Sequence, residues 1–462
     1  MLLDRDELLR RLWRLPVWPP LVAALDRHGG RILPRIEVPP PPASPPPALD
    51  IWMERAGGRP PPEGRLWAGA ATADITPPAG CNLAGFGFSR RASGVRDPLF
   101  ARVLALSDGQ RPMLLVAMDL IGLSLPRAAR LRARLARRHA GGVWLVSTHN
   151  HQSPDTLGLW GPGLLGALPL RSGLDLAYME RLETQVLQAV DRALGAIRPA
   201  RLFAGSAPFD PQGRLVHNEK SPVLDRELRV LELRADDGRA VASLVQHACH
   251  PETLWKDGTR VSADFCGVCC RRVEAELGGV GLYLNGALGA MVSAAVGHET
   301  LASTREALLT QLGEALGRAA VELARGGAVE VSAPVVRTFR RTVRLPADES
   351  NLYRLLLGLG VVERRPIEAG LETEVSLARL GPVSLLGLPG EPAPALGLEL
   401  LARVPGEPRL LVGLCNDELG YLLPEAFFGD PMYAYETRMT PGPSAAGRLR
   451  AAVVELAAEA VA

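Results

Sequence analysis

The stretch STHNHQSPDT, residues 147–156, sets His149 and His151 directly after the apolar run Val143-Trp144-Leu145-Val146. The chain has only 8 histidines in 462 residues, so a close pair at the end of an apolar run is a candidate for chemistry. Zinc takes nitrogen, oxygen and sulfur ligands, and a catalytic zinc keeps one position open for water. On a still-extended segment the two histidines do not easily share one ion. If a turn begins there, both can face one pocket, one as a ligand and the other as a contact to substrate. A second candidate is His250 in QHACHPET, where Pro251 ends a strand because it has no amide hydrogen to give a sheet. His247, three residues earlier, falls on the other face of that strand and reads as a packed or hydrogen-bonded histidine. A third is Glu391 in LPGEPAP, a carboxylate pinned at a rigid turn. That position suits either metal ligation or the positive end of a helix dipole.

Other reactive residue types read as structural. The six cysteines (Cys81, Cys249, Cys266, Cys269, Cys270 and Cys415) are too sparse for a disulfide framework. Cys266, Cys269 and Cys270 precede the helical stretch RRVEAEL and read as small buried hydrophobes near one helix face. Arg90 and Arg91, in GFSRRASG, read as a solvated loop. Asp119 and Asp264 are candidates for acids that orient ligand histidines. A serine hydrolase is disfavoured, because the sequence holds no GxSxG elbow.

These residues need elements to hold them. Several short apolar runs end at once in polar side chains: MLLVAM before Asp119, VWLVST before His149, ASLVQHAC before His250, VSLLGLPG before Glu391, and RLLVGLCN before Asp417, Glu418 and Tyr421. Helical stretches such as LPRAARLRARLARRHA and YMERLETQVLQAVDRALGAI lie between them. The alternation predicts an α/β domain, with mixed sheets flanked by helices. In such sheets ligands collect beyond the carboxyl ends of the strands. Residues 66–462 carry folded-domain composition without a second linker and read as a single large catalytic domain. Residues 1–65 read as an N-terminal helical segment followed by a proline-rich linker, which favours polyproline II. That first helix is expected to dock on the protein's own surface, with contact to a membrane surface as the alternative.

The bulk numbers narrow the partners. A formal net charge of +2 gives no case for nucleic acid. No apolar stretch approaches the roughly 20 residues that span a bilayer, and the N-terminus lacks a signal peptide's clean apolar region. A cytoplasmic location is the resulting expectation. Oligomeric state has no signature in the sequence.

Seven segments, GAATADITPPAGCNLAGFGFSRRASGVRDPLFARVLAL, AMDLIGL, STHNHQSPDT, HACHPETL, SADFCG, LPGEP and LCNDELGYLLP, resemble the catalytic domain of the neutral/alkaline non-lysosomal ceramidase family. They occur in family order and extend over about residues 66–462. The resemblance implies one catalytic zinc held by His149, His250, Glu391 and Tyr421, with His151 beside the substrate. It implies that Tyr433 contacts the scissile group, with Tyr435 as a competing match. The family's further immunoglobulin-like domain is not expected here. Two departures concern the substrate side. NGALGAMVSAA replaces a GDVSP-type segment, with Ser293 the nearest serine, and HNEKSP replaces an NR motif, leaving Lys220 as a cation without the planar fork of arginine.

The implied chemistry is amide hydrolysis, in which zinc lowers the pKa of a bound water to about 7 and polarises the carbonyl. Tyr433 or His151 is expected to donate hydrogen bonds to the developing oxyanion. The substrate is expected to be a ceramide-like or other lipid amide. A zinc-dependent esterase or deacylase, or a non-catalytic binding protein with a degenerate site, are the alternatives.

Overall fold

The computed structural model describes residues 59–136, 142–164, 168–169, 171–211, 215–218, 223–289, 292–295, 300–346, 356, 360–364 and 370–462. The expected N-terminal helix, and all of the proline-rich linker before Arg59, lie outside the described residues.

The architecture is mixed α/β. Its main sheet runs in spatial order Val280–Asn285, Ala240–His247, Glu227–Ala235, Arg198–Pro208, Leu66–Asp74, Phe100–Ser107, Met113–Met118, Val143–Ser147. A short ninth strand, Val329–Glu330, pairs with Arg198–Pro208. The two outermost pairs are parallel and the inner pairs antiparallel. A second sheet runs Val336–Leu345, Leu371–Leu380, Val383–Gly387, Arg409–Val412, again with a parallel pair at its end.

The residue pattern explains the layering. Along Phe100–Ser107 the buried side chains alternate between two cores: Ala101, Val103 and Ala105 face one, Leu104 and Leu106 the other. A strand buried on both faces reads as a continuous apolar run, which is why FARVLAL lacks a polar stripe. The first core lies under the helices Leu125–Ala136 and Leu176–Gly195. The second joins the two sheets, with Leu104 and Leu115 sharing a cluster with Ala378, Leu385 and Leu410. On its outer side the second sheet is covered by Pro394–Leu401 and Ala445–Glu459. The Ala240–His247 end of the main sheet is covered by Asp264–Leu277 and Ala302–Gly326.

Val280–Asn285 and Val143–Ser147 are opposite edges of the main sheet, yet Asn285 Nδ2 donates to Thr148 O at 2.9 Å. The sheet curls far enough for its two edges to meet. The second sheet is pinned to the same place, because Val146 bridges Cys415 and Leu145 N donates to Asn416 Oδ1 at 2.8 Å. The carboxyl ends of three parallel strand pairs therefore converge. No helix of the described residues is long and apolar enough to cross a membrane.

Candidate active site

The strand carrying the first histidine pair ends at Ser147, and His149 adopts a left-handed backbone with φ of 68°. That conformation is uncommon outside glycine. It is the turn that brings both rings to one cleft, with ring centroids of His149 and His151 4.9 Å apart. His250, just beyond Ala240–His247, places its ring 5.1 Å from His149 and 5.8 Å from His151. The metal-ligating atoms of these three buried histidines all lie within 4.8 Å of one another.

Glu391 closes the group. Its Oε2 lies 3.0 Å from His250 Nε2 and 3.3 Å from His149 Nε2. Burial works to raise the Glu391 pKa, but the adjoining His149 and His250 more than reverse it and hold the carboxyl far below its usual range. Burial likewise works against a charged His250, and the bond to Glu391 overrides it, so its pKa is raised. His151 goes the other way: burial and the neighbouring His149 and His250 push its pKa well below the ordinary value, so it is neutral. Neither of its ring nitrogens has a hydrogen-bond partner, and Glu252 Oε2 stands off at 3.7 Å from Nδ1.

Tyr421 reaches the same place from the segment that follows Arg409–Val412. It pairs with Glu391 in a short parallel ladder and lines the cleft with His149, His151 and Glu391. Burial and the Glu391 charge raise its phenol pKa far above the ordinary value. Ile121, Leu157, Leu159, Trp160 and Val362 give the cleft an apolar stretch of wall, with Ser124, Arg364, Glu418 and Tyr435 as its other polar lining. The cleft encloses about 800 Å³ including its mouth, a size that suits a small organic ligand.

The remaining sequence candidates fall differently. Tyr433 is buried and stacks on Phe427 with centroids 3.8 Å apart, while Tyr435 lines the cleft beside Tyr421. Ser293 sits in a two-stranded ribbon opposite His217, and its side chain lies outside the described set, as does Lys220. Asp119 and Asp264 do not orient the histidines. Asp119 accepts from Phe100 N and Arg102, and Asp264 from Thr253 and Phe265 N. Backbone does that work for His149, whose Nδ1 bonds the Ile121 carbonyl at 3.0 Å.

Arg90 is not a solvated loop residue. Its guanidinium lies over the Phe86 ring, and Nη2 donates to the carbonyls of Ala84 and His151. Burial pushes its pKa down to about 10. Arg91 is exposed, as read. His247 packs as expected, with Nδ1 3.1 Å from Glu227 O and its ring edge-on to Phe209. The cysteines of the CxxCC run are unpaired and lie in the core under the two C-terminal-side helices of the main sheet.

Glu418 is the functional candidate that sequence reasoning passed over. It is buried beside the cleft; Oε1 accepts from Gly420 N at 2.7 Å, and Oε2 has no partner. Burial and the charge of Glu391 raise its pKa well above the ordinary value, so it holds a proton. The signal was present as a second acid beside Asp417 at a strand end. Asp417 proves to be the structural one, bound by Arg364, Thr373 and Leu125 N.

The donor set fits a divalent cation of the zinc type. Three imidazoles and a carboxylate converge, and one buried ring has both nitrogens unsatisfied, which burial penalises unless a partner arrives.

No family model and no curated protein matches the chain by sequence. Solved structures do match. A crystal structure of neutral ceramidase from Pseudomonas aeruginosa superposes with a TM-score of 0.69 at 16% identity, covering 86% of this chain and 75% of that one. A ceramidase complexed with C2 gives 0.68 at 17%, covering 87% and 76%. The chain has a neutral ceramidase-like fold.

Proposed function

We propose that the protein is a zinc-dependent amidohydrolase that cleaves an N-acyl bond in a ceramide-like or other lipid amide. The observation that carries this reading is the meeting of His149, His250 and Glu391 around one carboxylate oxygen, at the floor of an apolar-walled cleft. His149, His250, Glu391 and Tyr421 would hold the cation. When bound, zinc supplies Lewis-acid polarisation of the acyl oxygen and activation of water.

The chain's own residues do the rest. The apolar wall around Leu157, Leu159 and Trp160 receives the acyl arm and excludes water. Neutral His151 offers an N–H to the acyl oxygen as negative charge develops there, the role of an oxyanion donor. Tyr435, at the cleft mouth, takes the position that the family likeness assigned to Tyr433. Protonated Glu418 holds a proton at Oε2 for the departing nitrogen, as a general acid. Ser293 and Lys220, in the two segments that depart from the family, are the proposed contacts on the substrate side.

The test is metal analysis of the purified chain together with hydrolysis of a panel of N-acyl lipids and matched O-acyl esters. The expected result is bound zinc and amide cleavage, both lost in His149→Ala. A wild-type chain that neither carries nor takes up zinc, or a His149→Ala variant with unchanged activity, overturns the proposal. Preference for the esters would replace the amidase with a deacylase.

A further inference from the structure

Asn285 is fully buried at the end of Val280–Asn285, and its side-chain amide is completely used. Oδ1 accepts from Cys249 N and Gly286 N, each at 3.1 Å. Nδ2 donates to Thr148 O at 2.9 Å and Cys249 O at 2.8 Å. A primary amide has two donor hydrogens and two acceptor lone pairs, so nothing is left over.

The two carbonyls it holds are not arbitrary. Thr148 C=O lies in the same rigid peptide plane as His149 N, and Cys249 C=O in the same plane as His250 N. One nitrogen atom therefore fixes the orientation of both planes that launch the histidine side chains. It also ties its own edge strand to the segment that leaves the opposite edge of the main sheet. The turn that follows continues the pattern. Gly289 N donates to Pro392 O, next to Glu391, at 2.9 Å. Gly289 packs so closely that an added Cβ would sit 2.2 Å from Glu391 O.

We propose that Asn285 is a positioning residue that sets the spacing and direction of His149 and His250 toward the cation. The inference rests on the metal reading above. Chemistry dictates which residue can do this. Aspartate keeps the acceptor but turns an oxygen toward two carbonyls, alanine abandons all four bonds, and neither can hold two carbonyls at once. Loss of a partner that orients metal ligands costs roughly 10- to 100-fold in affinity.

The experiment uses Co²⁺ as probe on the full chain, read by its visible absorption and by competition with a chelator, with far-UV circular dichroism and melting temperature recorded alongside. Asn285→Ala and Asn285→Asp are expected to keep their secondary structure, bind Co²⁺ about 10- to 100-fold more weakly and show altered cobalt bands. Leu316→Ala, a core truncation in Ala302–Gly326, is expected to melt earlier while its cobalt bands and affinity stay as in wild type. Asn285→Ser, with one donor and one acceptor, is expected to recover part of the affinity, and it replaces whichever other variant does not fold. Wild-type affinity and bands in the Asn285 variants overturn the inference. So does an equal loss in Leu316→Ala, or failure of all three Asn285 variants to fold, because each makes Asn285 a general stability residue. A wild-type chain that gives no cobalt bands sinks the metal reading itself, a separate outcome.

Discussion

Oε2 of Glu391 lies 3.0 Å from Nε2 of His250. The same oxygen lies 3.3 Å from Nε2 of His149. One carboxylate oxygen thus meets both rings. On the metal reading, Glu391, His149 and His250 would hold the cation between them. Glu391→Gln preserves the shape and removes the charge. We expect it to lose metal affinity beyond the roughly 100-fold that marks loss of an orienting partner, with hydrolysis falling in parallel. Metal content after dialysis, measured with activity, checks this; a Gln variant that retains zinc and turnover contradicts the role.

Glu418 makes a second prediction. Its Oε2 has no partner, and burial, with the charge of Glu391, raises its pKa well above the ordinary value. A general acid contributes about 10²- to 10⁴-fold. Glu418→Gln should lower kcat within that range and leave KM and bound metal nearly unchanged. The sign of the pH effect follows from the raised pKa: activity is present while Glu418 is protonated and falls as pH rises through its pKa. The Gln variant should lose that basic limb. A wild-type limb that survives in Glu418→Gln assigns the proton transfer elsewhere.

How much of this was legible beforehand depends on whether the signal was local. His149, His250 and Glu391 stood out because each follows an apolar run that a turn or proline cuts short, and strand ends are where open sheets collect ligands. The likeness to the ceramidases put Tyr421 with them. What was not legible depends on distant parts of the chain. Asn285 matters only because the main sheet curls until its edges meet, and no periodicity reports that. Arg90 is partly buried because its guanidinium lies over the Phe86 ring and its Nη2 donates to two carbonyls. Tyr435, and not Tyr433, faces the cleft because short 3₁₀ turns at Pro431–Tyr433 and Glu436–Arg438 break any simple register. Asp119 and Asp264 looked like orienting acids, but for His149 the Ile121 carbonyl, which leaves no mark on the sequence, took that task.

Gly85 separates the roles of His149 and His151. It has φ of 86°, and an added Cβ would lie 2.4 Å from Cγ and Nδ1 of His151. Gly85→Ala must therefore shift the His151 ring, apart from the strain of a left-handed alanine. If His151 is the oxyanion donor, kcat should fall by about 10²- to 10³-fold, while bound zinc is retained. If the variant loses its zinc instead, His151 belongs among the ligands. Zinc content measured beside kcat distinguishes the two.

Asp264 gives a stability prediction away from the cleft. It is buried, bonded to Thr253 and Phe265 N, and burial is the main cause that raises its pKa from 3.8 to about 6. Between those values the folded state binds more protons than the unfolded state, so unfolding releases protons and stability declines as pH rises. The contribution is complete below about pH 4 and gone once pH has passed through about 6. A shift of this size corresponds to roughly 3 kcal/mol. Asp264→Asn cannot ionise, so its stability curve should be flatter than that of wild type across this window. Its Thr253 bonds are also weakened, so the amide variant is expected to be less stable at pH 4 and to close much of the gap by pH 7. Denaturant unfolding of both chains from pH 4 to 7 measures the difference. Parallel curves would mean that Asp264 titrates alike in the folded and unfolded chain.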